Sequence, residues 1–405
     1  MNCDSVVIVT EKAARSLRSG HPWVYDAEVT DCKGPCENGS IVKVQTKAGK
    51  WLGTGFYNEH SKIRVRIVSF NRNDTIDDAF LERRLRYSVD YRRTVMGDDF
   101  QNCRLVFGEA DGFPGLTVDR YGQVLVAQVL SLGMDQRAEA IFSALVQILR
   151  DSGEQIDAVF LRNDVKLREK EGMEQGKGYL SLPGLITDLD GHVEIVENDV
   201  HYDVDYINGQ KTGFFLDQKY NRLAVARLAK GKRVLDCFTH TGAFGLNCAL
   251  AGAERVVSVD VSADALKQAH HNAELTGISN IEFLQSDVFA LLTKLAEEKR
   301  GAYDLVILDP PAFTKSSATV SSAVRGYKEI NLKTMRILPR GGYLATCSCS
   351  HFMTDDRFRE MLAAAAKDAQ VQLRQIEARQ QSPDHPILWN VPETDYLKFY
   401  IFQIV

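Results

Sequence analysis

The stretch Asp236-Cys-Phe-Thr-His-Thr-Gly-Ala-Phe-Gly245 decides the fold of this 405-residue chain. It follows Lys232-Arg-Val-Leu235, and the short apolar run ending on a carboxylate predicts a buried strand with Asp236 at its C-terminal tip. The small residues Thr241, Gly242, Ala243 and Gly245 let the backbone turn tightly and approach a ligand before a helix begins. That helix, predicted over 244–251, turns free N–H groups towards the same space.

Three further strand ends follow in order. Arg255-Val-Val-Ser-Val-Asp260 closes on a second carboxylate 24 residues after Asp236, the distance of a βαβ unit, where an acid suits the two hydroxyls of a ribose. Ile281-Glu-Phe-Leu-Gln285 delivers Asp287, placed to accept from an adenine amino group. Tyr303-Asp-Leu-Val-Ile-Leu308 predicts a buried parallel strand ending on Asp309-Pro-Pro311. The glycine turn alone fits any strand–turn–helix of an α/β enzyme, and it lacks the spaced Gly-x-Gly-x-x-Gly of a nicotinamide site. Four acidic strand ends in sequence point instead to S-adenosylmethionine. The cofactor-binding residues expected are Asp236, Phe238, Thr241, Gly242, Phe244, Asp260, Ser262, Asp287 and Asp309, with no metal.

Asp309-Pro-Pro-Ala-Phe313 narrows the substrate. Two prolines fix φ and remove two N–H donors, which leaves a rigid, carbonyl-rich bend. Pro310 and Pro311 there suit a planar amino-bearing base, with Phe313 available to stack on it; the competing reading is a simple strand-ending turn. The next strand, Gly342-Tyr-Leu-Ala-Thr346, leads to Cys347 and Cys349, at the edge where open α/β sheets carry their chemistry. Methylation of a pyrimidine at carbon 5 needs a thiol, because that carbon is a poor nucleophile until a thiolate adds to carbon 6. Free cysteine is commonly a small buried hydrophobe, which suffices for the other six cysteines. Residues i and i+2 of a strand face the same side, so spacing leaves both thiols open as nucleophile.

Longer strings carry a resemblance to a family. Gly20-His-Pro-Trp-Val-Tyr25, Gly53-Thr-Gly-Phe-Tyr-Asn58, Glu109-Ala-Asp-Gly-Phe-Pro-Gly-Leu116, Lys211-Thr-Gly-Phe-Phe-Leu-Asp-Gln218, Arg325-Gly-Tyr-Lys-Glu-Ile-Asn331 and Ser348-Cys-Ser350 run over essentially the whole chain. With the Asp236 loop and Asp309-Pro-Pro, the chain resembles the PUA-containing large-subunit (23S) ribosomal RNA 5-methylcytosine methyltransferases. The resemblance implies an α/β protein with a Rossmann-like class I methyltransferase domain over 196–405. Ahead of it would stand a β-barrel PUA-like RNA-binding domain over 1–72 and a small, β-rich α+β central domain over 73–195. The family's Ser-Cys-Ser-x-x-Met pattern falls on Ser348-Cys349-Ser350-His-Phe-Met353 and implies Cys349 as the nucleophile. Many RNA cytosine methyltransferases outside this subfamily carry a second cysteine after the Asp-Pro-Pro turn; here the place holds Ala312. The base that removes the carbon-5 proton is therefore unassigned, with Glu393 and His385 as candidates whose simpler role is structural. A uridine carbon-5 target, an exocyclic amine target and a non-catalytic RNA assembly factor stay open as alternatives.

Composition agrees with this without deciding it. The chain is long enough for two or three domains, and 44% hydrophobic residues can build cores. Eight irregularly spaced cysteines form neither a disulfide framework nor a zinc motif, since Cys32-x-x-x-Cys36 has no second pair. A reduced, cytoplasmic setting is expected. The first residues lack a leader's charged and apolar regions, and no stretch reaches membrane-spanning length. The net charge of −5 argues mildly against a nucleic-acid binder. Residues 1–70 nevertheless hold ten Lys/Arg against seven Asp/Glu, and Lys62-Ile-Arg-Val-Arg66 and Arg83-Arg-Leu-Arg86 suit either a phosphate backbone or a solvated face. A homodimer is one assembly left open.

Residues 1–70 read as short strands between glycine turns, and 71–78 as a linker. A helix is expected over 79–96, strands over 105–107, 116–119 and 124–130, and a helix over 138–149. A loop is expected over 168–178 and a hairpin over 192–207 turning at Asn198-Asp199. The segment 211–222 is expected beside the methyl-donor pocket, with Thr212-Gly-Phe-Phe215 as a wall.

Overall fold

The computed structural model describes residues 5–297, 301–314 and 316–405, and these form two compact units. Unit 1 comprises Met1–Ile195, Val204–Leu216 and Pro383–Thr394; unit 2 comprises Val196–Asp203, Asp217–Ser382 and Asp395–Val405. Each unit is therefore assembled from separate stretches of chain. Among the described residues, no helix is long and apolar enough to cross a membrane.

Unit 1 opens with strands β1 (Val6–Val9), β2 (Trp23–Tyr25), β3 (Val29–Lys33), β4 (Ile41–Thr46), β5 (Trp51–Tyr57) and β6 (Ile63–Ser69), in the sheet order β2-β6-β5-β4-β1-β3. The alternating inward residues Val7, Val9, Val42, Val44, Val65 and Ile67 close on a buried core. Helix α1 (Glu11–Arg18) packs its Ala13, Ala14 and Leu17 into that core. It corrects the strands-only expectation for 1–70. Its start is set by Thr10, whose hydroxyl accepts from the Ala13 N–H at 3.3 Å.

Helix α2 (Asp78–Met96) leads to strands β7 (Asn102–Phe107), β8 (Leu116–Tyr121) and β9 (Val124–Val129). Helices α3 (Leu132–Asp135) and α4 (Ala138–Asp151) and strands β10 (Ala158–Arg162) and β11 (Lys177–Tyr179) complete the region. The five strands lie in the order β11-β10-β9-β8-β7, with β9 and β10 parallel and the other pairs antiparallel. The loop expected over 168–178 holds a short helical turn, Arg168–Glu171, and runs into β11, an edge strand that β10 captures through backbone pairing. β12 (His192–Glu197) and β13 (Val200–Asp205) form the expected hairpin. Its turn residues Asn198 and Asp199 both have positive φ, 53° and 63°, which a tight two-residue hairpin turn demands.

Unit 2 is built on α5 (Lys219–Ala226), β14 (Arg233–Cys237), α6 (Ala243–Leu250), β15 (Arg255–Asp260), α7 (Ala263–Thr276), β16 (Ile281–Gln285) and α8 (Val288–Glu297). It continues through β17 (Leu305–Leu308), α9 (Val320–Ile337), β18 (Tyr343–Ser348), α10 (Asp355–Ala369), β19 (Leu373–Arg379) and β20 (Lys398–Ile404). The sheet order is β16-β15-β14-β17-β18-β20-β19; the first five strands are parallel, and β20 runs antiparallel between β18 and β19. Both faces are covered, so β14 buries Leu235 and Cys237 in one core and Val234 in the other. The strand order reverses direction at β14 and β17, the crevice where such sheets bind ligands. β17 starts two residues later than expected, and just ahead of it the Asp304 carboxylate accepts from the Arg233 backbone N–H at 3.0 Å. β18 runs two residues beyond the expected Thr346, held by pairing of Cys347 with Phe399 and of Ser348 with Lys398. Cys347 thus lies inside the strand rather than past its end.

Candidate active site

The turn after β14 is bound tightly to its own strand. Asp236 is fully buried, and its Oδ2 accepts from the Thr239 hydroxyl at 2.5 Å, the Gly245 N–H at 2.9 Å and the Ser258 hydroxyl at 3.3 Å. Burial, with Asp309 adding to it, pushes its carboxyl up to about 7 against those three donors. Gly245 has no room for a side chain, since a Cβ there would lie 2.2 Å from the Ser258 oxygen. Phe238, His240 and Gly242 take positive φ of 63°, 50° and 87°, and two such non-glycine residues in one loop mark backbone strain held by its surroundings.

The strand tips then present their groups at one end of the sheet. Asp260 is half-buried; its Oδ2 accepts from the His240 N–H and its Oδ1 from the Ser262 N–H, both at 2.9 Å. Each oxygen keeps a lone pair for another donor. The Ser262 hydroxyl caps α7 by accepting from Ala265 at 3.2 Å, and exposed Asp287 caps α8 by accepting from Ala290 at 2.8 Å. Thr241 offers its backbone carbonyl to Asn272 at 3.1 Å. The Phe244 ring is buried and stacked on Phe399 at 5.8 Å between centroids, which leaves its backbone as the part able to meet a ligand. Asp260, the Phe238–Gly242 backbone and the α6 N-terminus form a donor and acceptor set that fits a ribose and its flanking polar groups.

The second half of the site joins β17 to β18. The buried Cys347 thiol donates to Asp309 Oδ1 at 2.8 Å, and Gln218 Nε2 donates to the same oxygen at 3.2 Å and approaches the sulfur at 3.5 Å. Burial and the neighbouring carboxylate raise the Cys347 thiol well above its ordinary value, and burial raises Asp309 in turn. Cys347 is therefore held as a protonated donor. Pro310 is buried and Pro311 exposed, while Phe313 packs on Tyr327 at 4.5 Å and on Phe289 at 5.8 Å.

Cys349 lies past β18, half-buried between two anchored serines. Ser348 donates to the Tyr327 hydroxyl at 3.0 Å, and Ser350 donates to the Thr314 carbonyl at 3.1 Å. The second bond ties the cysteine turn to the Asp-Pro-Pro loop. Buried Lys398, paired in register with Ser348, donates from Nζ to the Ser350 carbonyl at 2.7 Å and the Tyr396 carbonyl at 2.8 Å. Its ammonium is thus fixed to the carbonyl of the residue that follows Cys349. Burial pulls Lys398 down to about 8, against the attraction of Asp395, Cys349, Asp355 and Cys347.

Lys398, Gln218 and Tyr327 had no role assigned from sequence. A lone lysine opening the apolar run Lys398-Phe-Tyr-Ile-Phe402 was the one available signal, because a buried lysine demands partners. The segment 211–222 divides: Asp217 and Gln218 belong to unit 2, where Tyr396 donates to Asp217 at 2.6 Å. Thr212 and Phe214 bond within unit 1 to Asp119 and Tyr121. Within unit 1, His385 contacts Asp384 at 3.0 Å and Glu393 contacts His21 at 3.2 Å.

Comparison with known proteins gives the family of the chain. Residues 184–402 match the S-adenosylmethionine-dependent methyltransferase family and residues 7–70 the PUA-like domain. The chain is 38% identical over 404 residues to the ribosomal RNA large subunit methyltransferase I of Klebsiella pneumoniae (strain 342), covering 98% of both chains. It belongs to that family. An enzyme of the same description from Enterobacter sp. (strain 638) is 37% identical, over 98% of this chain and 99% of that one. A chain from Streptococcus mutans described as a SAM-dependent methyltransferase shares the fold with a TM-score of 0.82 at 20% identity, covering 98% of this chain and 99% of that one. A related structure holding SAH aligns with a TM-score of 0.83 at 21% identity, over the same shares of the two chains. The protein is thus an S-adenosylmethionine-dependent methyltransferase of the large-subunit methyltransferase I family with a PUA-like domain.

Proposed function

We propose that this enzyme methylates carbon 5 of a cytosine in large-subunit ribosomal RNA, in the cytoplasm, through a covalent adduct on Cys349. The observation that carries this reading is the contrast between the two thiols: Cys347 is buried and bonded to Asp309, whereas Cys349 is half-buried on a turn braced by Ser348, Ser350 and Lys398. The cofactor supplies an electrophilic methyl group on a sulfonium. Asp260, Asp287 and the Asp236–Gly245 loop hold it, and Asp309 with Pro310 and Pro311 orients the base. The Cys349 thiolate adds to carbon 6, and the displaced electron pair makes carbon 5 nucleophilic towards the methyl group. Carbon 5 then carries the methyl group, and the demethylated donor is left as a neutral thioether. Transfer of the carbon-5 proton to a base lets the bond between the Cys349 sulfur and carbon 6 break and returns the thiolate. Lys398 stabilises that thiolate by its charge.

RNA containing 5-fluorocytosine tests this, because fluorine blocks the proton loss and traps the adduct. The wild type and Cys347→Ala should give a band stable to denaturing gels, and Cys349→Ala should give none while still binding cofactor. Trapping only by 5-fluorouridine RNA would move the target to uridine. Turnover without any adduct would favour an exocyclic amine and sink the thiol mechanism.

A further inference from the structure

Three stretches of chain that the proposed mechanism gives no step meet in unit 1. The Gly20–Tyr25 string supplies Trp23, the Glu109–Leu116 string supplies Glu109 and Gly115, and Glu393 and Thr394 come from the segment before β20. With β6 they line a cavity of about 790 Å³, within the roughly 300–1,000 Å³ of small-ligand pockets. Its lining carries charges that already answer one another. Buried Arg66 donates to Glu171 at 2.7 Å and lies 3.5 Å from Glu109, which also accepts from the Trp23 indole at 2.9 Å. Ser61 and Asn58 donate to the same Glu171 carboxylate. The Arg66 Nε has no hydrogen-bond partner among the described residues and is itself shielded from solvent. The rings of Trp23 and Phe107 and the side chain of Leu130 supply flat and apolar surface. Leu167, Lys62 and Lys170, all exposed, stand at the opening.

We propose that this cavity takes an unpaired nucleobase of the RNA, distinct from the base that is methylated. The inference rests on RNA being the substrate. Aromatic faces suit a stacked base, and the lysines among the lining residues suit backbone phosphates. The lining sets the cations Arg66, Lys62 and Lys170 against the carboxylates Glu109, Glu171 and Glu393, so it opposes an anionic strand with no net negative charge.

The test uses full-length protein and deproteinised large-subunit ribosomal RNA from cells lacking the enzyme, at fixed salt. Leu167→Glu, an exposed substitution, should weaken RNA affinity about tenfold, the scale of one lost stacked base, with S-adenosylmethionine affinity unchanged. Ultraviolet crosslinking of the same RNA to unmodified protein should map to peptides containing Trp23 or Phe107. Full affinity in Leu167→Glu together with crosslinks only elsewhere would overturn the cavity assignment. An effect seen with precursor particles but not with bare RNA would assign the cavity to a ribosomal protein and overturn it too. Both readouts persist in a Cys349→Ala background, so failure of the thiol mechanism leaves them standing. Absence of any RNA binding by the wild type would remove the substrate reading and this inference together.

Discussion

Lys398 is a buried cation held by two carbonyls, and the proposed mechanism gives it a second use. The folded ammonium gives up its proton near pH 8, whereas an ordinary lysine keeps its proton to 10.5. Between those values the unfolded chain binds more protons, so Lys398 makes stability rise with pH across that window. Under the proposed mechanism its help to Cys349 runs the other way and fades above about pH 8, as the charge is lost. In Lys398→Met, the rate of Cys349 alkylation by iodoacetamide should follow a pH profile moved upward by about one unit, the scale of one nearby opposite charge. An unmoved profile would reduce Lys398 to a brace for the Ser350 carbonyl. Little of this was legible beforehand. Cys349 was preferred through the Ser-Cys-Ser string, but the work of the two serines depends on Tyr327 and Thr314, which other parts of the chain deliver.

At the level of elements, local pattern spoke clearly where local physics decides. The strands ending at Asp260 and Gln285 and the turn at Asn198-Asp199 were readable from apolar runs and turn chemistry. Elements fixed by distant partners were not: β11 exists through pairing with β10, and β18 is lengthened by β20. The hairpin of β12 and β13 is fastened in the same non-local way, for Glu197 of β12 forms a buried ion pair with Arg222 of α5. Glu197→Leu leaves that guanidinium buried without its carboxylate and should cost about 3–5 kcal/mol by urea unfolding. A loss below about 1 kcal/mol, the range of an exposed pair, would mean that water reaches Arg222.

For the whole molecule, the doubly covered sheet of unit 2 was legible because four acidic strand ends recur in order, while the makeup of the two units was not. Saturating S-adenosylhomocysteine should slow amide exchange at 238–243, 260–262 and 286–288, with stabilisation of about 2.7 kcal/mol at a hundredfold excess over Kd. Unchanged exchange in those three loops would displace the cofactor from the strand tips. Unit 1 draws Pro383–Thr394 from late in the chain. In it, buried Asp384 accepts from the Arg104 N–H at 2.8 Å, and its carbonyl accepts from buried Arg92 at 2.9 Å. During translation at about 5–20 residues per second, Arg104 emerges tens of seconds before the residue that satisfies it. A nascent chain must therefore carry an unfinished first unit through most of its own synthesis, a long interval in which chaperones have something to hold.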